Sequence, residues 1–511
     1  MLYHIRPLEA NRESTMENRR ASGILLHPTS LPGTGIGELG SAAYRFVDWL
    51  ASARQRRWQI MPLGPTGYGD SPYTSLSALA GNPLLVSTER LIGDGLLPAD
   101  ELAQAPAFPN EYVDFGAVAE WKSGLLQCAF DTWQAQGTPQ QCSAFDEFIG
   151  AEQRWLDDFA LFMALKEAFG GAAWNQWDPA IVRREPAALV EWRTKLAERV
   201  RYHQFVQWQF FSHWRDLKRY ANERGVKLIG DIPIFVAYDG ADVWANREIF
   251  FLDEAGNPTV VAGVPPDYFS AEGQLWGNPL YRWDVLAKRD YDWWIERFRG
   301  TFELVDIVRL DHFRGFEAYW EVPAGDETAI NGRWRLGPGS PFFDRLREAF
   351  GHLPIVAEDL GLITPEVIAL RRKHDLPGMA VLQFAWDGDP HNLYLPHSHE
   401  RNQVIYTGTH DNDTTVGWWA TLDDRSRQQA QRYLGIHGND IAWDLIRVAL
   451  MSVGDTAIVP MQDVLSLGGK ARMNQPGRPL GNWGWRLRPE QLSDDVAARL
   501  RDLTELYGRA G

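Results

Sequence analysis

VDIVRLDHFRG, residues 305–315, reads as a short buried β-strand that ends in charge. Val305, Ile307, Val308 and Leu310 supply an apolar, largely β-branched run, while Arg309, Asp311, His312 and Arg314 crowd its C-terminal end. Burying charge is costly unless the charge is paired or used. A strand tip with this many ionisable groups therefore has the form expected at the catalytic end of a parallel barrel strand.

Working outward, seven further runs have a related form. Downstream lie LPIVAEDLG (353–361), which ends in Glu358 and Asp359, GMAVLQF (378–384), QVIYTGTHDND (403–413), which ends in His410 and Asp411, and TAIVPMQDVL (456–465). Upstream lie KLIGDIPIFV (227–236) with Asp231 near its end, WQIMPL (58–63), and GILL (23–26) cut off by Pro28 and Pro32. Helical patterns intervene after most of them. Parallel strands need crossover helices and are buried on both faces, so eight apolar strands alternating with helices predict a (β/α)8 TIM barrel. The polar residues fall at the C-terminal ends of the strands, which in that architecture meet at one face.

Residues 1–22 read as an N-terminal tail, and 23–511 as the barrel with inserted subdomains at about 64–225, 237–300 and 315–345. The insertions are expected to be large and mainly helical. Trp155, Leu156, Phe159, Phe162 and Met163 follow three- and four-residue spacing up to Gly170-Gly171, and a second series runs from Leu189 through Trp208 to Leu217. The segment after WQIMPL, GPTGYGDSPYTSLSALAGNP, is rich in Gly and Pro and carries Tyr68 and Tyr73, which suits a binding loop. Val260 to Tyr281 shows neither helical nor strand periodicity but carries Asp267, Tyr268, Phe269 and Trp276; it reads as a cover over a site or as a plain surface loop.

Composition narrows the partners. A formal charge of −16 over 511 residues argues against nucleic acid, whose binding needs a basic surface. Twenty-three Trp, 24 Phe and 16 Tyr serve first to fill a core, but the excess also suits a sugar binder, since flat rings stack on pyranose faces. Cys128 and Cys142 have no metal-ligand neighbours, so neither a disulfide framework nor a zinc site is expected. The N-terminus has no apolar signal core and no long apolar run follows, which points to a cytoplasmic protein without a membrane span. Nothing of the GxxxxGK[ST] or GxGxxG form opens a helix after a strand, so a nucleotide cofactor has no support.

If three strand ends deliver Asp311, Glu358 and Asp411 to one cavity, their pKa values must separate, because like charges repel. Arg309 lies two residues before Asp311 and so points to the same side of the strand, where its fixed charge favours an ionised nucleophile. Glu358 has no such neighbour and is the candidate acid. An ionised Asp beside a protonated Glu, about 5–5.5 Å apart, is the equipment of retaining glycoside chemistry. Asp411, His312 and His410 would then hold sugar hydroxyls and steady an oxocarbenium-like transition state. A divalent metal on the same acids would leave the histidines and the aromatic loops unexplained.

Several longer motifs carry a family resemblance: GPTGYGDSPYTSLSALAGNP, LIGDIPIFVAYDGADVWA, AGVPPDYFSAEGQLWGNPLY, VRLDHFRGFEAYW, IVAEDLG, YTGTHDNDT, and RMNQPGRPLGNWGWR at 472–486. Together they resemble the amylomaltases, the 4-α-glucanotransferases or disproportionating enzymes of glycoside hydrolase family 77. The resemblance implies an α-amylase-type barrel without a C-terminal β-domain, needing no cofactor or metal. It implies transfer of part of an α-1,4-glucan, such as a maltooligosaccharide or a starch- or glycogen-derived dextrin, to glucose or another glucan by a monomer or weak homo-oligomer. By motif position Asp311 looks like the nucleophile, Glu358 the acid/base and Asp411 the transition-state stabiliser. Arg309, His312, His410 and Asp231 look like the shell around the reacting sugar, with Tyr73, Ser71, Asp267 and Trp276 lining the donor and acceptor sites. Tyr68 resembles part of an outer glucan contact, and Asn482 and Trp483 belong to a family motif whose role the residues alone do not reveal. Gly240 departs from the Ser common in YDGADVW. An α-amylase-like hydrolase is the alternative on the same carboxylates, and a non-catalytic glucan binder would have no need of them.

Overall fold

The computed structural model describes residues 20–266 and 270–511. Its strands in chain order are β1 (Ala21–Leu25), β2 (Arg57–Gln59), β3 (Lys227–Ile232), β4 (Val260–Val264), β5 (Gln274–Pro279), β6 (Ile307–Leu310), β7 (Ala318–Pro323), β8 (Arg333–Leu336), β9 (Ile355–Ala357), β10 (Gly378–Val381), β11 (Gln403–Tyr406) and β12 (Thr456–Pro460). Eight of them form one parallel sheet in the order β10-β11-β12-β1-β2-β3-β6-β9. These are the eight strands expected from the apolar runs; all but β1 are shorter than their runs, and β1 begins two residues before its run, at Ala21.

The ends of this sheet meet and complete a (β/α)8 barrel. The Ala357 N–H donates to the Pro377 carbonyl at 2.8 Å, and the Met379 N–H donates to the Asp359 carboxylate at 2.7 Å. Asp359 also contacts Arg371 at 2.9 Å, so this strand-end acid closes the barrel. Leu25, Ile229, Val356, Met379, Val381, Val404, Tyr406 and Ile458 fill the interior, while the alternate residues Ile24, Trp58, Leu228, Val308, Ile355 and Ile405 face the helical layer. Burial on both faces explains the near-continuous apolar runs, each large side chain contributing about 1.5–3 kcal/mol.

The connection from β2 to β3 is helical. The helix Pro139–Ala168 begins at a capping box, Thr138 with Gln141, and stops before Gly170 and Gly171, both at positive φ. It packs on the helix Ala197–Glu223 through Phe148 and Trp155 against Phe211, and Leu156, Phe159 and Phe162 are buried, so the aromatic periodicity there is core.

The stretch from Val260 to Tyr281 departs from expectation. It contributes β4 and β5 to a second, antiparallel sheet in the order β5-β4-β7-β8. A register shift between Val261 and Gly263 and the left-handed Gly273 and Gly277 break the alternation by which a strand is read. The same sheet takes β7 and β8 from the segment expected as the third, mainly helical insertion, so two insertions distant in sequence share one sheet. Asp267, with Tyr268 and Phe269, lies outside the described residues, as do residues 1–19 of the expected tail; the tail's last two residues, Ala21 and Ser22, instead open β1. Gly240, extended at φ −140°, begins the helix Ala241–Ala245, so no left-handed backbone demands glycine there.

The bottom of the barrel is tied by Arg509. Its fully buried guanidinium donates to the carbonyls of Leu450, Ser452, Gly454 and Ala21 at 2.6–3.1 Å, joining the last turn of the chain to β1. No strand follows β12 among the described residues, and none of their helices is long and apolar enough to cross a membrane.

Candidate active site

Register places the first two acids. The β6/β9 ladder pairs Arg309 with Val356 and Leu310 with Ala357, so Asp311 and Glu358 are the next pair, just past the hydrogen-bonded strands. The β3/β6 ladder pairs Asp231 with Arg309. In a parallel ladder paired residues share a face, and a step of two along the strand returns to it. Asp231, Arg309, Asp311 and Glu358 thus converge at the C-terminal mouth of the barrel because of strand pairing alone.

Their contacts are direct. Arg309 Nη1 lies 2.7 Å from Asp231 Oδ2 and 2.9 Å from Asp311 Oδ1, which fixes Asp311 from below. Tyr73 donates its hydroxyl to Asp231 at 2.8 Å. Glu358 is held by backbone: the His312 N–H donates to Oε2 at 2.7 Å and the Leu360 N–H to Oε1 at 3.0 Å. Burial pushes the Glu358 carboxyl up to about 7, with the Asp311 charge adding and Arg309 and the two amides opposing. His312 adopts a left-handed backbone at φ 50°, and burial lowers its imidazole to about 4, so it is neutral at physiological pH. The left-handed residue turns the chain sharply at the strand end, so that its amide meets Glu358.

Asp411 arrives on the loop after β11, and its Oδ2 lies 3.3 Å from His410 Nε2. Burial would raise its pKa, but the facing His410, a hydrogen bond from Asn474 and the Arg309 charge outweigh that and hold it far below the usual carboxylate range. His410 responds in the opposite sense: burial lowers it, and the Asp411 charge more than restores it, leaving it raised. The ring of Tyr73 stacks on His410 at 5.0 Å.

The remaining sequence candidates separate. Trp276 on β5 packs edge-on against His312 at 4.8 Å and is 38% exposed, so an indole face borders the acid cluster. Ser71 accepts a hydrogen bond from the Tyr73 N–H at 3.2 Å and shapes that loop. Tyr68 is 77% exposed on the outer rim, apart from the acids. Asn482 is used within its own loop, accepting from the Gln475 N–H at 3.0 Å and donating to the Arg478 carbonyl at 2.7 Å. Trp483, in a left-handed conformation at φ 66°, lies against both Tyr73 (5.8 Å) and His410 (6.0 Å). Sequence reasoning missed Asn474 and Arg472, which touch Asp411 from 63 and 61 residues away; their motif was visible, but nothing in it names the partner.

The arrangement offers a carboxylate on a guanidinium, a neighbouring carboxyl that burial raises toward neutrality, and a third acid kept charged on the far wall. Comparison with known proteins agrees in kind. The sequence profile described as 4-alpha-glucanotransferase, glycoside hydrolase family 77, matches residues 26–493. A 4-alpha-glucanotransferase of Synechocystis sp. is 53% identical over 97% of this chain and 99% of its own, and one of Thermus thermophilus is 51% identical over 97% and 100%. The structure of an amylomaltase from Streptococcus agalactiae in complex with acarbose superposes with a TM-score of 0.93 at 40% identity, covering 96% of this chain and 100% of that one.

Proposed function

The chain belongs to glycoside hydrolase family 77, the 4-alpha-glucanotransferases, and from that premise we propose how its residues transfer part of an α-1,4-glucan to the 4-hydroxyl of glucose or another α-glucan. Asp311 attacks the anomeric carbon of the donor. The bond from that carbon to the glycosidic oxygen breaks as Glu358 gives that oxygen its proton, leaving a glucosyl ester on Asp311. Glu358, now a carboxylate, takes the proton of the acceptor hydroxyl as its oxygen bonds to the anomeric carbon and Asp311 leaves.

The observation that carries this reading is the contrast between paired neighbours, Asp311 on Arg309 and Glu358 raised to about 7. Asp411, kept charged beside His410, faces the positive charge that develops on the sugar. Arg309, Asp231, Tyr73, His312 and His410 hold these acids and the reacting ring in place. Trp276, with Asp267 from the same segment, is assigned to the acceptor side, where an indole stacks a sugar and displaces the water that would otherwise hydrolyse the ester. Ser71 shapes the donor loop, and Tyr68 is assigned to an outer glucan contact. The partners are maltooligosaccharides and related dextrins.

Incubation with maltotriose tests the activity: glucose together with longer maltooligosaccharides is expected. Rising reducing ends with only shorter products would replace transfer with hydrolysis. Glu358→Gln treated with an α-glucosyl fluoride tests the intermediate, since the fluoride departs without an acid. Mass spectrometry is expected to find a glucosyl adduct on Asp311, and an adduct on another residue would overturn the assignment.

A further inference from the structure

The loop that follows β12 reaches back across the barrel mouth and grips one residue. Asn474 Nδ2 donates to Asp411 Oδ1 at 2.6 Å, leaving Oδ2 to His410. Arg472 holds both backbones from below: Nη2 donates to the Asp411 carbonyl and Nε to the Asn474 carbonyl, each at 2.6 Å. The Asn474 N–H in turn donates to the His410 carbonyl at 3.1 Å. Trp483 closes the same loop, its N–H donating to the Met473 carbonyl at 2.7 Å.

Asp411 does not sit on a strand. It lies five residues beyond the end of β11, where the ladder no longer dictates its direction. With 45% of its side chain exposed, packing does not lock it either. The carboxylate is thus aimed by its ion pair with His410 and by the hydrogen bond it accepts from Asn474.

We propose that Asn474, clamped by Arg472, is a positioning residue for this reaction: it aims the ionised Asp411 at the positive charge that develops on the sugar. The inference rests on the reading of Asp411 as the transition-state stabiliser. An amide N–H donor lends charge stabilisation without itself titrating, whereas the opposite partner, His410, loses its charge as pH rises. The charged or titratable groups facing Asp411 are His410 on its own loop, Arg472 on the loop that carries Asn474, Arg309 on β6, Tyr73 on the loop after β2 and Asp231 on β3 behind Arg309, with His27 after β1 beside His410. Burial holds His27 low, at about 3, so it is neutral near Asp411. Asn474 is the uncharged donor that stays in place throughout.

Asn474→Leu removes the donor at nearly constant volume. A lost hydrogen bond to a charged group corresponds to a fall of about 10- to 100-fold in kcat for maltotriose disproportionation, with KM changed less than about threefold. The fall is expected in kcat at every pH tested, because Asp411 lies so far below the usual carboxylate range that losing one donor leaves it ionised. Asn474→Asp, of the same shape, sets a carboxylate against Asp411 so that the pair keeps a proton to higher pH; the acid limb of its kcat/KM profile is expected to move up, which keeps the test informative if the Leu variant does not fold. A normal kcat in the Leu variant, an unmoved limb in the Asp variant, or a loss of activity in which Tm drops and KM rises along with the fall in kcat would reduce Asn474 to a structural part and overturn the proposal. Asp411→Asn is measured alongside. If that variant stays active, the reading of Asp411 fails; if it is dead while the Asn474 variants resemble wild type, only the present inference fails.

Discussion

Asp231 on β3 and Arg309 on β6 are paired in the parallel ladder, and the guanidinium that meets Asp231 at 2.7 Å continues to Asp311 at 2.9 Å. Both partners of the ladder pair are nearly closed to solvent, with side-chain exposures of 1% and 4%. A buried pair of this kind adds little net stability, because desolvation offsets the attraction, yet breaking it leaves a bare charge in the interior. Its value lies in placement, since one planar cation fixes the direction of Asp311.

Arg309→Lys retains the charge on a shorter side chain. Both carboxylates meet the single nitrogen Nη1, and a lysine ammonium does not reach far enough to replace it, so kcat/KM for maltotriose is expected to fall at least about 100-fold. Arg309→Met strands Asp231 as well, and its destabilisation by about 3–5 kcal/mol is expected to appear in denaturant unfolding. Near-normal kinetics of the Lys variant would show that Asp311 is aimed by something else.

Glu358 sets a pH limit. Its pKa is raised to about 7 by burial first and by Asp311 second, and donor cleavage needs its proton. The fraction of competent enzyme is therefore full below that value and falls tenfold per pH unit above it, so kcat/KM is expected to decline through about pH 7. A profile of initial rates measures this; a curve flat from roughly pH 6 to 9 would contradict the assignment.

Trp276 is expected to govern acceptor use. Trp276→Ala removes an indole that borders the acids and leans on His312. A lost stacking partner is worth about 1–2 kcal/mol, so the transfer rate to added glucose is expected to fall about tenfold while the share of hydrolysis rises. The ratio of transferred product to free reducing ends reads this directly, and an unchanged ratio would exclude a role in acceptor binding.

Arg509 should matter for stability and not for chemistry. Replacing it with Met leaves several buried carbonyls without donors, at a cost of about 3–5 kcal/mol, while the acid cluster lies at the opposite end of the barrel. A Tm lowered by about 3–5 °C with wild-type kcat at low temperature is expected; the reverse pattern would mean that the clasp couples to the site.

How far the sequence carries differs by element. Strand runs such as IVRL and VIY were legible because a strand buried on both faces must be apolar throughout and its polar residues collect at the tips. β4 and β5 were not legible, because a twisted surface hairpin with glycines and a register shift lacks that alternation. Asp359 shows a second limit. At its strand end it looks like Glu358 beside it, yet its carboxylate faces Met379 and Arg371 and closes the barrel.

The sequence by itself determined the barrel, the three acids at its mouth and the family, because those depend on local patterning and on motifs read in order. Only the tertiary structure decided which charges meet: that Arg309 bridges two acids, that backbone amides hold Glu358, and that Asn474 grips Asp411 from 63 residues away. Strand pairing and loop return bring these groups together. Electrostatics and hydrogen bonding act on distance in space, which is independent of distance along the chain.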